Sequence, residues 1–165
     1  MSELTGKHVL VLGLGESGLA MARWCALRGA RLRVADSRTA PPGLDALRED
    51  APLAEIVTGG FGAEVLDGVD LVALSPGLDP RIGVAAEARR RGLPTTGEMS
   101  LLAEALDELG VRAQTRILAI TGTNGKTTTT ALTAALARSA GIDAVAAGNI
   151  SPAALDVLMD RLAAG

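Results

Sequence analysis

The chain has 165 residues, a formal net charge of −3, 48% hydrophobic and 21% charged side chains, which is a globular composition and, at about 150 residues per domain, roughly one domain's length. Trp24 and Phe61 are its only aromatic residues, so the core must be built from Leu, Val, Ile and Ala, and a base-stacking single-strand binder is disfavoured, as the mild acidity disfavours a broad nucleic-acid surface. One cysteine, Cys25, excludes an internal disulfide or a multi-Cys zinc site, and the single histidine, His8, falls in a strand candidate, which argues against Ser-His-Asp chemistry.

HVLVLG at 8–13 is a continuous apolar run closed by glycine, the pattern of a strand buried on both faces. LGESGLAMARWCALRG follows as a mostly apolar helix, with Gly29 as its stop. RLRVAD at 31–36 alternates and reads as a second strand, and Pro41-Pro42-Gly43 punctuates the loop after it. A short helix over 44–49 and a third strand within 54–60 come next. LVALSPG at 71–77 is a fourth strand, stopped by Pro76-Gly77. The next helix runs from Val84 to Arg91, and its Arg89-Arg90-Arg91 run reads as a solvated last turn favoured by the helix dipole. LPTTG at 93–97 is a fifth short strand, and Glu98 to Leu109 a helix. Strands alternating with helices at this spacing predict a Rossmann-like, mainly parallel α/β sheet with helices on both faces.

GVRAQT at 110–115 reads as a boundary, dividing a unit at 1–110 from one at 116–165. After it the rhythm restarts with RILAIT at 116–121 as a strand, a glycine turn, a long helix from Thr127, IDAVAAGN at 142–149 as another strand, and a last helix over 152–165. This second unit is expected to be the start of a P-loop ATPase-type α/β domain. With two strands it is too small to bury both faces of a parallel sheet, so it is expected to be incomplete and loosely held. The N-terminus is unlike a signal peptide, and no run of about 18 apolar residues exists. A soluble cytoplasmic protein is expected.

GLGESG at 13–18 matches G-x-G-x-x-G directly after a strand and opening a helix. Gly13 suits the tight turn, Gly15 lets backbone approach a diphosphate, and Gly18 lets helix and strand pack closely. Asp36 ends the second strand about 18 residues past Gly18, where a ribose- or base-reading carboxylate belongs. NAD is the obvious ligand, but any diphosphate-linked nucleotide fits the same cradle. TGTNGKTTTT at 121–130 is the stronger signal, with a strand, a glycine turn, Gly125-Lys126-Thr127 and a helix. Backbone N–H groups there form an anion nest, Lys126 reaches β- and γ-phosphates, and the Thr127 hydroxyl can ligate Mg²⁺. The loop departs from G-x-x-x-x-G-K-[ST], because Ile120 stands where the first glycine belongs and Gly122 comes two residues later.

TGTNGKTT behind an apolar strand is similar to the ATP loop of the Mur ligases and the related folylpolyglutamate synthases. GLGESGLA, DSR at 36–38, SPG at 75–77, GEM at 97–99 and AGNI at 147–150 together resemble the D-glutamate-adding branch of the Mur ligases, from about Lys7 to the end of the chain. A GIGG-type first loop, usual in another branch, is absent. The resemblance implies an ATP-dependent ligase of peptidoglycan precursor synthesis that adds D-glutamate to UDP-N-acetylmuramoyl-L-alanine through an acyl phosphate. It implies that Gly15, Glu16 and Ser17 meet the diphosphate, Asp36 and Ser37 the uracil, and Gly77 and Asn149 the sugar end. Gly122, Thr123, Asn124, Gly125, Lys126, Thr127 and Thr128 would hold ATP, with Lys126 catalytic and Thr127 on Mg²⁺. The family's second metal ligand and its D-glutamate site would lie beyond Gly165, so the 165 residues alone are expected to be inactive. A non-catalytic UDP-substrate-binding module and an NAD(P)-dependent oxidoreductase domain are the alternatives, and the Lys126 loop speaks against the second.

Overall fold

The computed structural model describes residues 3–81 and 83–164; Met1, Ser2, Ile82 and Gly165, the last residue of the expected final helix, lie outside them. The strands are β1 (His8–Leu12), β2 (Arg31–Asp36), β3 (Glu55–Thr58), β4 (Leu71–Leu74) and β5 (Thr95–Thr96). The helices among the described residues are α1 (Glu16–Leu27), α2 (Leu44–Asp50), α3 (Gly83–Arg90), α4 (Glu98–Glu108), α5 (Lys126–Ser139) and α6 (Ala154–Ala164), with a 3-10 turn at Ala63–Leu66.

All five strands are parallel, in the order β3-β2-β1-β4-β5. β1 is central, with Leu10 opposite Arg33 on one side and Val72 on the other. Its unbroken apolar run follows from that place. Side chains alternate across a strand, so Val9 and Val11 enter one core while Leu10 and Leu12 enter the other. The first core joins them to Leu14, Met21, Trp24 and Cys25 of the glycine loop and α1, and to Leu101 of α4. The second joins them to Val65, Leu66 and Val69 around the 3-10 turn and to Ala85 and Ala88 of α3. Helices therefore cover both faces, as the sequence pattern required for a parallel sheet.

The charged run at the end of α3 is surface. Arg90 and Arg91 both pair with Glu87, and Arg91 also reaches Asp67. His8 is buried, with Nδ1 donating to the Gly68 carbonyl at 2.9 Å, a structural role. Burial pushes the Cys25 thiol up to about 12, so it is not a nucleophile.

Two expectations are corrected. RILAIT at 116–121 and IDAVAAGN at 142–149 form no ladder among the described residues. A strand exists only with a neighbour to receive its hydrogen bonds, and Ile117, Leu118, Ile142 and Val145 are instead exposed. The last helix also departs from the picture of a loosely held second unit. α6 packs against α1 and α4, and Ala153 and Leu155 are completely buried in the first core. Full burial of such a leucine contributes about 2 kcal/mol. Arg23 of α1 bridges the two sides, donating to Asp50 at 2.6 Å and to Asp156 of α6 at 3.3 Å. Among the described residues no helix is long and apolar enough to cross a membrane.

Candidate functional site

In a parallel sheet the carboxyl ends of all strands lie along one edge, and ligands bind where the strand order reverses. Here that point lies between β1 and β4. The turn after β1 and the turn after β4 meet there. Gly13 has φ +86, and a Cβ on it would stand 3.0 Å from the Ser75 Cβ. Ser75 N donates to Leu12 O at 3.0 Å, and Leu78 N closes the Ser75-Pro76-Gly77 turn by donating to Ser75 O. Gly77 is exposed at its tip.

The glycine loop then feeds α1. A Cβ on Gly15 would meet nothing within 4 Å, whereas one on Gly18 would meet the Gly13 carbonyl. Gly15 thus leaves open space and Gly18 permits close packing, as the motif predicts. Leu19 N donates to Gly15 O at 2.9 Å, so the N–H groups of Glu16, Ser17 and Gly18 precede the first intrahelical bond. Its N-cap residue, Gly15, has no side chain to cap this end, and no side-chain cap bond is made there among the described residues. Free N–H groups and the helix dipole together suit a phosphate, although the Glu16 carboxylate also sits in the first turn.

Asp36 is buried at the end of β2, beside this loop. Its Oδ2 accepts from Leu14 N at 2.7 Å and from Arg38 Nη2 at 2.6 Å. Its Oδ1 accepts from Arg38 N and Arg38 Nε, both at 2.9 Å. The Arg38 guanidinium, helped by the Leu14 and Arg38 backbone N–H groups, holds the carboxyl down at about 2 against the opposing effect of burial. Four donors fill the lone pairs of a carboxylate, so a base bonding directly to Asp36 must displace Arg38. Ser37 lies next to it, exposed. Sequence reasoning passed over Arg38 as a site residue, although it stands in the DSR triplet; a carboxylate followed two residues later by arginine is the signal.

The second loop lies in 121–125. Gly125, with φ +73, precedes α5, and no side chain caps that helix. Lys126 Nζ donates back to Gly122 O at 2.5 Å and to Thr123 O at 3.3 Å. Residues 121–129 are all exposed, and a Cβ on Gly125 would meet nothing within 4 Å. Free helix-start N–H groups, one ammonium and the hydroxyls of Thr127 and Thr128 form a donor set of the right chemistry for a polyphosphate and its Mg²⁺. Asn149 is exposed in a turn closed by Gly148 N donating to Pro152 O at 3.1 Å.

Glu98 was also missed. This buried carboxylate at the start of α4 accepts from Ala154 N at 2.5 Å and Leu155 N at 3.4 Å. No local spacing reveals a contact that spans 56 residues of chain.

Residues 7–97 match the family described as Mur ligase MurD-like, N-terminal domain. The whole chain is 89% identical to a UDP-N-acetylmuramoylalanine--D-glutamate ligase of Aromatoleum aromaticum, covering 35% of that protein. Over 99% of its length it is 54% identical to a ligase of the same name from Dechloromonas aromatica, again covering 35%. The chain thus spans about a third of the length of the curated relatives it matches. Among solved structures, a murein peptide ligase from Psychrobacter arcticus aligns with 84% of this chain and 28% of that one, at 27% identity and a TM-score of 0.53. A UDP-N-acetylmuramate:L-alanyl-gamma-D-glutamyl-meso-diaminopimelate ligase from Neisseria meningitides aligns with 83% of this chain and 41% of that one, at 26% identity and a TM-score of 0.53.

Proposed function

The chain belongs to the Mur ligase MurD-like N-terminal domain family, and on that premise we propose that it forms the UDP-binding unit and ATP phosphate loop of a cytoplasmic ligase joining D-glutamate to UDP-N-acetylmuramoyl-L-alanine. The observation that carries this reading is the meeting of the Gly13–Gly18 loop with the Ser75–Gly77 turn at the reversal point of the sheet. An uncapped helix start faces that crevice with open space at Gly15.

In this reading Gly15, Glu16 and Ser17 receive the diphosphate through backbone N–H groups. Asp36 and Ser37 bound the uracil end, with Arg38 yielding one of its bonds, and Gly77 and Asn149 bound the sugar end. Residues 1–110 act as the UDP unit, and 116–165 begin the ATP unit. Gly122 to Thr128 hold the triphosphate. ATP supplies the phosphoryl group that activates the substrate carboxylate, as an acyl phosphate, toward the D-glutamate amine. Lys126 exchanges its bonds to the Gly122 and Thr123 carbonyls for phosphate oxygens and neutralises charge as it moves, the largest contribution a protein makes to phosphoryl transfer. The Thr127 hydroxyl holds Mg²⁺. The 165 residues by themselves bind but do not ligate, because a loop exposed from 121 to 129 gives the reacting groups no water-excluded site.

Isothermal titration of the chain with UDP-N-acetylmuramoyl-L-alanine, UDP and NAD tests the reading. Binding of the first, weaker binding of the second and none of the third is expected. Tight NAD binding without uridine binding would return the glycine loop to an oxidoreductase.

A further inference from the structure

We infer that Glu98 is a positioning residue that latches the Asn149 turn to the sheet edge beside the Ser75–Gly77 turn. The inference rests on the functional reading only for what the latched turn touches. Glu98 follows Gly97 directly, at the end of β5, and a Cβ on Gly97 would lie 3.7 Å from Leu74 O, the last residue before Ser75. Its side chain turns away from solvent and is 5% exposed. There its Oε1 takes the first two N–H groups of α6, those of Ala154 and Leu155. A buried carboxylate is tolerated only where donors meet it, and the first N–H groups of a helix have no partner within it. Each therefore supplies what the other lacks, and the helix dipole adds to the attraction.

The latch has little slack. Asn149 lies in the turn that ends at Pro152, closed by the Gly148–Pro152 hydrogen bond, immediately before the capped residues. Leu155 is fully buried below, and Asp156 is held by Arg23. Glu98 thus ties the Asn149 turn to a strand end 56 residues earlier in the chain than the Ala154 donor, so that Gly77 and Asn149 share one frame. The Arg23 and Leu155 side chains anchor the helix, but neither accepts from its first N–H groups, which set how the preceding turn leaves the helix.

The test uses the isotopically labelled 165-residue chain. In Glu98→Ala, amide exchange at Ala154 and Leu155 should accelerate at least tenfold and the Asn149 amide resonance should move. Affinity for UDP-N-acetylmuramoyl-L-alanine should fall about tenfold while affinity for UDP stays within twofold. Glu98→Gln keeps an accepting oxygen and should restore most of each loss. Ala154→Pro removes one donor at a helix position that tolerates proline, and should move the Asn149 resonance with Glu98 intact. Unchanged exchange at 154 and 155, a stationary Asn149 resonance, or an equal loss of UDP affinity would overturn the latch. A wild-type chain that binds no uridine ligand would overturn the functional reading instead, and the Asn149 resonance would still decide for or against Glu98.

Discussion

A Cβ built on Gly18 would stand 1.8 Å from the carbonyl oxygen of Gly13. Helix α1 therefore rests on the turn that follows β1 with no room for a side chain between them. The contact is backbone to backbone, so no rotamer change relieves it.

Gly18→Ala should accordingly destabilise the fold by about 3 kcal/mol, the upper range for forcing an added group into a packed site. Urea unfolding followed by circular dichroism measures it. A midpoint within error of wild type would mean that α1 can shift without cost.

Gly15→Ala should do the opposite. Its backbone, φ −87 and ψ −166, is open to any residue, and a Cβ there meets nothing within 4 Å. Stability should stay within about 0.5 kcal/mol. Affinity for UDP should fall about tenfold, roughly 1.4 kcal/mol, because the new methyl fills the space where a diphosphate would lie against the backbone. Calorimetry and urea unfolding on the same sample separate the two effects.

These two glycines show what could be read in advance. The motif spacing alone set the packing glycine, Gly18, apart from Gly15, beside which the structure leaves open space, because both features follow from strand–turn–helix geometry. β1 was equally legible, since Val9 to Leu12 are apolar in succession, as in a strand covered on both faces. The runs at 116–121 and 142–149 were not. An apolar run states that a strand is possible, while the partner that makes it one lies elsewhere in space. Arg38 and Glu98 were obscure for a related reason. Arg38 looks like any surface arginine until the burial of Asp36 is known, and the donors that reach Glu98 are remote in sequence.

The Asp36 carboxyl, held at about 2 in the fold against an ordinary 3.8, makes stability depend on acid. A depressed carboxyl stabilises the fold fully above its unfolded value. That contribution should persist above about pH 4 and disappear as pH falls from about 4 through about 2. Because the Arg38 side chain is 53% exposed, solvent screening reduces the effect, and about 1–2 kcal/mol is expected. Urea midpoints between pH 6 and 2 should show this slope in the wild type and a shallower one in Asp36→Asn, where Glu87 and the other lowered carboxyls still contribute.

In an enzyme of the length of its relatives, Lys126→Ala should lower D-glutamate-dependent phosphate release at least about a hundredfold, the scale for losing one charge-stabilising donor. Stability should barely change, since Lys126 is exposed and its present partners are loop carbonyls. Wild-type turnover in that variant would remove 121–128 from the phosphate site.

Limited proteolysis of the 165-residue chain should cut first within 116–148. Leu118 is 74% exposed and Ile142 60%, and segments with few buried contacts open first. Amides of α6 around Leu155 should exchange as slowly as those of α1, against which they pack. Early cleavage inside α6 would contradict the docking of that helix.

The place of β1 in the sheet sets a schedule for synthesis. Of the five strands it is made before the others, yet it sits in the middle, and half of its pairing waits for residues 71–74. Such long-range parallel pairing is slow to form. The first core waits longer still, because Ala153 and Leu155 close it. A nascent chain that has finished its sheet still displays the side of α1 that α6 covers until those residues emerge. That side of the helix is the surface a chaperone would meet on an unfinished chain.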